Sequence, residues 1–139
     1  MCSDGGQSKA CSITDLEGFD TDISICPAGW RLPVNARSER DLSSPDKNEF
    51  VALSNAIRGG DTDRDLRESL RGEWLAVWAG YYFGITDDFN GRSTDGSYWS
   101  STSAEFTLGS ARNFIVKPRV VMWGYHSPRS NGSSVRCVR

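Results

Sequence analysis

Short apolar runs near the two ends of the chain form its clearest hydrophobic pattern. The first run, residues 23–26, is followed by a Pro-Ala-Gly turn, after which Trp30 and Leu32 alternate with polar residues. This alternation predicts an extended segment with Trp30 in the core. The second run, residues 135–138, closes the chain, and each run contains a cysteine. We therefore expect the two ends of the domain to pair as neighbouring strands.

A first helix is predicted by apolar residues at steps of three and four. Phe50, Leu53 and Ile57 share one face of such a helix. The preceding Ser44 and Pro45 suit the cap and the first helical position, so we expect the helix to open there. Two glycines, at residues 59 and 60, end it.

A second helix is expected to begin in the acidic stretch at residues 61–65 and to end at Gly72, because acids suit a first helical turn. Asp61, Asp63 and Asp65 also have the alternate spacing of a calcium loop. However, the sixth position of that loop is Leu66 rather than Gly, and the twelfth is Gly72 rather than Glu. The helix start is therefore the preferred interpretation.

The rest of the chain predicts strands and turns. The apolar and aromatic run at residues 74–83 is too short to span a membrane and predicts a buried strand. A long turn rich in Asp, Asn and Gly follows, and its acids are treated as turn-formers rather than as a cation site. Further strands are expected at residues 98–102, 114–116 and 120–123, with a hairpin link at 117–119 and a loop at 125–132. A strand, two helices and then several strands indicate an α+β fold.

The composition restricts the classes of function. With 139 residues, the chain is expected to form one domain, residues 23–139, behind an irregular arm, residues 1–22. A net charge of -2 argues against a nucleic-acid partner. No apolar stretch is long enough for a membrane span, and no signal peptide is evident. Charge is uneven, since residues 97–139 contain six Lys or Arg and a single acid, Glu105.

Four cysteines allow three pairings. Cys2 and Cys11 are close in sequence, whereas Cys26 and Cys137 lie at the ends of the domain, so we favour Cys2–Cys11 and Cys26–Cys137 in an oxidising compartment. Four free thiols in a cytosolic protein are the alternative. The chain has one histidine and no C-x-x-C motif, so we predict no metal site and no cofactor.

Three motifs carry a resemblance to a known family. The stretch Ile-Cys-Pro-Ala-Gly-Trp-Arg-Leu-Pro at residues 25–33 resembles the opening of the Fibrobacter succinogenes major paralogous domain. Tyr-Trp-Ser-Ser-Thr at residues 98–102 resembles its central motif, and Ser-Val-Arg-Cys-Val at residues 134–138 its ending. The resemblance implies a C-type-lectin-like fold, with two helices packed on antiparallel strands, in an extracellular or bacterial cell-surface protein. Related domains are pilin-like proteins and the variable proteins of diversity-generating retroelements.

The resemblance also bears on enzymatic activity. The Gly-Trp-Arg-Leu-Pro piece is similar to formylglycine-generating domains, which are enzymes. The catalytic thiol pair of such an enzyme is not evident here, because Cys26 and Cys137 lie in the structural motifs. With only one histidine, triads and dihistidine metal sites are also disfavoured, so we predict no enzyme.

Two non-enzymatic functions remain. One is a structural or tip module of a pilin-like surface assembly. The other, which we prefer, is a binding domain for a protein or glycan ligand that uses its basic, aromatic C-terminal segment. Tyr, Trp, Arg and Asn make adaptable contacts of low entropic cost. The candidate contacts, expected on the C-terminal strands and loops within residues 105–131, are Phe106, Arg112, Asn113, Lys117, Arg119, Trp123, Tyr125, His126, Arg129 and Asn131.

Overall fold

The computed structural model describes residues 25–59, 65–74, 76–104 and 109–139. Within them the protein is α+β, as predicted, with two helices and two antiparallel sheets. A short 3-10 helix, Glu39–Asp41, precedes the first helix. The regular elements are α1 (Glu49–Arg58), α2 (Leu66–Glu73), β1 (Tyr81–Phe83), β2 (Asp88–Asn90), β3 (Gly96–Ser103), β4 (Ser110–Lys117) and β5 (Val120–Pro128).

Helix α1 begins four residues later than Ser44 predicts. Its cap is Asn48, whose side chain accepts a hydrogen bond from the backbone N–H of Phe50 at 3.1 Å. The Asn48 amide is in turn held by the carbonyls of Leu42 and Trp123, at 2.9 and 3.0 Å. These distant contacts select the cap. The predicted end is confirmed, because Gly59 adopts the left-handed conformation (φ 61) that favours glycine.

Helix α2 is capped by Asp65, whose carboxylate accepts from the N–H groups of Arg67 and Glu68 at 2.8 and 3.1 Å. Asp65 thus has the capping role that suits an acid at a helix start. Asp61 and Asp63, the other members of the alternate acidic spacing, lie outside the described residues. The helix ends at Glu73, one residue beyond the predicted Gly72.

The larger sheet has the order β3-β4-β5, with β4 in the centre, and β1 pairs with β2 in the smaller one. The predicted hairpin link is confirmed, since Lys117 pairs with Val120 and the two intervening residues form the turn. The core lies between the larger sheet and the helices. It consists of Phe50, Leu70, Tyr98, Phe114 and Val116, and the rings of Phe50 and Phe114 stack at 4.8 Å.

The prediction of a buried strand over residues 74–83 is wrong for most of its length. Among the described residues of this run, only Tyr81–Phe83 (β1) form a strand, and Val77 is 54% exposed. The backbone N–H and C=O of Val77 bond instead to the hydroxyl of Tyr98, at 2.7 and 2.8 Å. Trp74 packs against the same ring at 4.8 Å. The aromatic run therefore covers the edge of the core as an irregular segment.

The predicted pairing of the chain ends occurs, but through one bridge rather than two strands. Arg31 and Val138 exchange two backbone hydrogen bonds of 2.8 Å each. Beside this bridge, Cys26 and Cys137 form a disulfide. The expected core position of Trp30 is wrong, since Trp30 is 45% exposed. Its N–H closes a turn with the carbonyl of Pro27 at 2.9 Å, which keeps it out of the extended segment.

Two further predictions concern the N-terminal region and the loop expected after residue 124. The Cys2–Cys11 pairing and the N-terminal arm lie outside the described residues. The loop predicted at residues 125–132 is wrong over its first half, because β5 continues to Pro128.

Candidate functional site

An extra residue in β5 determines which side chains can form a site. Between the pairs Ile115–Met122 and Asn113–Tyr125, β4 advances two residues while β5 advances three. Such a bulge reverses the alternation of side chains. Trp123 and Tyr125, which regular alternation would place together, therefore point to opposite faces of the sheet.

The inner face of the β4–β5 hairpin, defined by Arg112, Phe114 and Val116, is the one that meets the helices. Trp123 lies on it and stacks on Phe114 at 5.5 Å. Gly124 is also in close contact there, because a Cβ atom added to it would lie 2.2 Å from Leu42 Cδ2. This side of the bulge is therefore packed tightly.

The outer face, defined by Asn113, Ile115 and Lys117, borders a pocket of about 160 Å³. The opposite wall comes from β1 and the segment after β5, which are tied together. Tyr82 and Gly132 exchange two backbone hydrogen bonds of 2.9 Å, and the Asn131 side chain accepts from the N–H of Gly84 at 3.0 Å. The lining residues are Tyr81, Phe83, Asn113, Ile115, Lys117, Met122, Tyr125, His126, Ser127, Pro128, Asn131 and Ser133.

Several candidates from the sequence meet at this pocket. Asn113 is 1% exposed, and its amide donates to Ser97 Oγ at 3.0 Å. Its Oδ1 atom has no hydrogen-bond partner among the described residues. Tyr125 is 50% exposed at the rim. Lys117 lies 3.6 Å from the carboxylate of Asp95 and over the ring of Tyr81 at 5.9 Å.

Arg112 is a buried structural cation rather than an accessible contact. Its side chain is 0% exposed, and it donates to the carbonyls of Arg37 and Gly124, both at 2.7 Å. Its charged partner is Glu39, at 2.9 Å. A buried guanidinium requires such compensation, because an unpaired buried charge is costly.

His126 borders the pocket, but its imidazole joins the same network. Nε2 lies 2.8 Å from Glu39 Oε1 and 3.0 Å from Arg112 Nη1. The hydrogen bonds from His126 and from Arg112 lower the pKa of the Glu39 carboxyl below its usual value. His126 is thus a link between the pocket and the buried charge of the inner face.

The remaining candidates are dispersed. Arg119 is exposed in the hairpin turn, away from the pocket. Arg129 is partly buried and donates to Ser103 Oγ at 2.7 Å. Phe106 lies outside the described residues. Sequence reasoning did not select Tyr81, Phe83 or Met122, and only the bulge and the β1 contact, which no local pattern indicates, bring them to the site.

The acids of the turn around β2 have local partners. Asp87 accepts from the Tyr82 hydroxyl, which raises the pKa of that phenol, and Asp88 accepts from the N–H of Phe89 at 2.7 Å. Asp95 accepts from the Thr94 hydroxyl at 3.0 Å. Within the described ranges, no three His, Cys, Asp or Glu residues are grouped so that they could hold a metal. Nor is any helix of those ranges long and apolar enough to cross a bilayer.

No family model, curated protein or solved structure matches this chain. A functional assignment therefore has to start from the geometry of the outer face.

Proposed function

We propose that this chain is a non-enzymatic extracellular binding domain of a bacterial surface protein, and that it has a C-type-lectin-like fold. In this proposal the outer face of β4 and β5, with its pocket, holds the ligand. The domain belongs to the class of diversified binders, related to the variable proteins of diversity-generating retroelements. The observation that carries the proposal is a half-exposed aromatic residue, Tyr125, beside a pocket lined by Asn113, whose buried amide oxygen has no hydrogen-bond partner among the described residues.

The strands that carry this surface are held rigidly, which supports a binding role. Both strands that carry it are hydrogen-bonded in the larger sheet, and the inner face beneath them is packed against the core. A rigid support lowers the entropic cost of binding, because the contacting side chains are already in place. The disulfide between Cys26 and Cys137 is compatible with an extracellular location.

A matched pair of variants tests the proposal. The full chain would be screened against immobilised panels of bacterial and host surface proteins and of glycans. Any ligand found would then be titrated against Tyr125→Ala and Phe89→Ala. Phe89 is a suitable control, because it is 52% exposed and does not line the pocket.

We expect Tyr125→Ala to weaken binding at least about tenfold, because aromatic anchors contribute roughly 1–4 kcal/mol. Phe89→Ala should bind like the parent protein. Equal affinity for all three proteins would place the site elsewhere. Failure to bind any member of either panel would favour a structural or tip module of a surface assembly.

A further inference from the structure

The outer-face pocket has the size of one small ring. Its volume is about 160 Å³. A cavity of about 150 Å³ holds a benzene molecule, so a single six-membered ring with small substituents fits here. The pocket is too small for a folded protein element, and it accepts at most one side chain or one residue of a longer ligand.

A buried amide in the lining favours a ligand that can form hydrogen bonds. Asn113 is 1% exposed, and one of its two amide bonding positions has no partner among the described residues. Turning the amide over would exchange the oxygen and nitrogen but would still leave one of them unpaired. A hydroxyl group satisfies either orientation, because it both donates and accepts.

The lining combines apolar side chains with polar ones and carries no acid. Asn131, Ser127 and Ser133 add amide and hydroxyl groups around the cavity. Lys117 is the lining residue with a permanent charge, and it already faces Asp95 at 3.6 Å. A lining of this kind favours a neutral ligand with polar groups around its perimeter over a free carboxylate or phosphate.

Aromatic rings complete the walls. Tyr81 and Phe83 come from β1, and Tyr125 lies at the rim on β5. The negative face of an aromatic ring attracts the weakly positive C–H groups of a saturated ring. A benzene-like ligand would satisfy these walls, but it would leave the buried Oδ1 atom of Asn113 without a partner.

We propose, on the basis of the binding function above, that this pocket binds one pyranose ring of a saccharide without a metal ion. A pyranose combines a ring of the right size, C–H faces for the aromatic walls and hydroxyl groups for Asn113 and its neighbours. The proposal includes no metal ion, because no carboxylate lines the pocket to hold one. The ring is held by amides, hydroxyls and aromatic faces alone.

The direct test is a titration of the ¹⁵N-labelled full chain with methyl glycosides of glucose, galactose, mannose and N-acetylglucosamine. A single sugar ring is expected to bind with a Kd on the order of 1 mM. At least one glycoside should shift the side-chain amide signals of Asn113 and the backbone signals around Tyr125. The same titration in EDTA should give the same Kd.

Variants then separate the pocket from its surroundings. Tyr125→Ala should weaken the binding about tenfold, and Asn113→Leu should abolish it, whereas Phe89→Ala should leave it unchanged. Since Asn113→Leu removes a buried hydrogen bond to Ser97, it is informative only if its thermal unfolding remains cooperative. The signal shifts in the parent protein and the exposed Tyr125 variant test the proposal without it.

The outcomes distinguish the saccharide proposal from the proposed binding function. Signal shifts remote from the pocket, binding lost in EDTA, or no shift with any glycoside would each overturn saccharide binding. If N-acetyltyrosinamide, used as a probe for a peptide side chain, shifts the pocket signals while the glycosides do not, the pocket takes a protein residue instead. The proposed binding function would survive that result. It fails if the panel screen finds no ligand, or if Tyr125→Ala binds the ligand like the parent protein.

Discussion

The two faces of the β4–β5 hairpin are built from the same strands but have opposite properties. On the inner face, Phe114 and Val116 are 0% exposed and pack against the helices. On the outer face, the neighbouring Asn113 is equally buried, yet it borders a pocket and keeps an unpaired polar atom. Burial alone therefore does not separate a core from a site. The difference lies in what the buried side chains border, since Phe114 and Val116 pack against other core residues whereas Asn113 borders a pocket.

This comparison predicts that the faces respond differently to truncation, and Phe114 should show the largest effect. Its ring contacts Phe50 at 4.8 Å and Trp123 at 5.5 Å, so Phe114→Ala leaves a cavity among aromatic neighbours. We expect a loss of about 3–5 kcal/mol in the free energy of unfolding, measured by denaturant titration. A loss below about 1 kcal/mol would mean that the inner face is not the core.

Adjacent aromatic residues on β5 sharpen the comparison. Trp123 faces the core, whereas Tyr125 is 50% exposed on the other side of the bulge. We expect Trp123→Ala to cost about 3 kcal/mol of stability, and Tyr125→Ala to change it by less than about 0.5 kcal/mol. Equal losses for the two variants would show that the bulge does not separate them. Both values come from the same denaturation experiment.

The strands themselves follow from local pattern, and the site does not. Apolar runs and the Pro118 turn were sufficient to predict the last part of β4, the start of β5 and the hairpin between them. The residue types along β5 could not reveal the bulge, because the bulge depends on how β5 pairs with β4. The sequence therefore grouped Trp123 with Tyr125, and the structure places them on opposite faces.

Long-range partners explain two further differences. Ser44 has the better local signal for a helix cap, but Asn48 is selected by carbonyls contributed from Leu42 and Trp123. Arg112 is of a residue type that is common at surface contacts, yet it is buried because distant segments supply its acceptors. Such partners are separated in sequence by up to 75 positions, beyond the reach of any local pattern.

A smaller effect is expected at the bulge, where Gly124 permits close packing of the inner face. A Cβ atom there would lie 2.2 Å from Leu42 Cδ2 and 2.9 Å from Asn35 Oδ1. Gly124→Ala should therefore cost about 1–3 kcal/mol through overpacking.

The control for that substitution is Gly72→Ala, in α2, where an added Cβ atom meets nothing within 4 Å. Because alanine favours a helix over glycine, this variant should gain roughly 0.5–1 kcal/mol in the same denaturation experiment. Changes of opposite sign in the free energy of unfolding for the two variants would show that the loss at Gly124 comes from packing. A stabilising Gly124→Ala would mean that the inner face has room at the bulge.

A small effect is also expected at Glu39, where the inner face reaches solvent. Its carboxylate accepts from Arg112 at 2.9 Å and contacts His126 at 2.8 Å, and these hydrogen bonds lower its pKa from the usual 4.5. A lowered folded-state pKa means that the contribution to stability is complete above pH 4.5 and is lost as the pH falls through the lower value. Since Glu39 is 55% exposed, we expect Glu39→Gln to cost less than about 1 kcal/mol at pH 7.

The pH dependence of the stability of Glu39→Gln is more informative than the size of its stability loss at pH 7. Thermal unfolding between pH 7 and pH 2 should show a shallower acid decline for Glu39→Gln than for the parent protein, because one titrating carboxylate has been removed. Some decline should remain, since the pKa of Glu49 is also lowered by its hydrogen bonds with Arg31. Tyr125→Phe, on the outer face, should retain the whole decline. An identical acid decline in Glu39→Gln and the parent would mean that the charge of Arg112 is balanced by the backbone carbonyls of Arg37 and Gly124 alone.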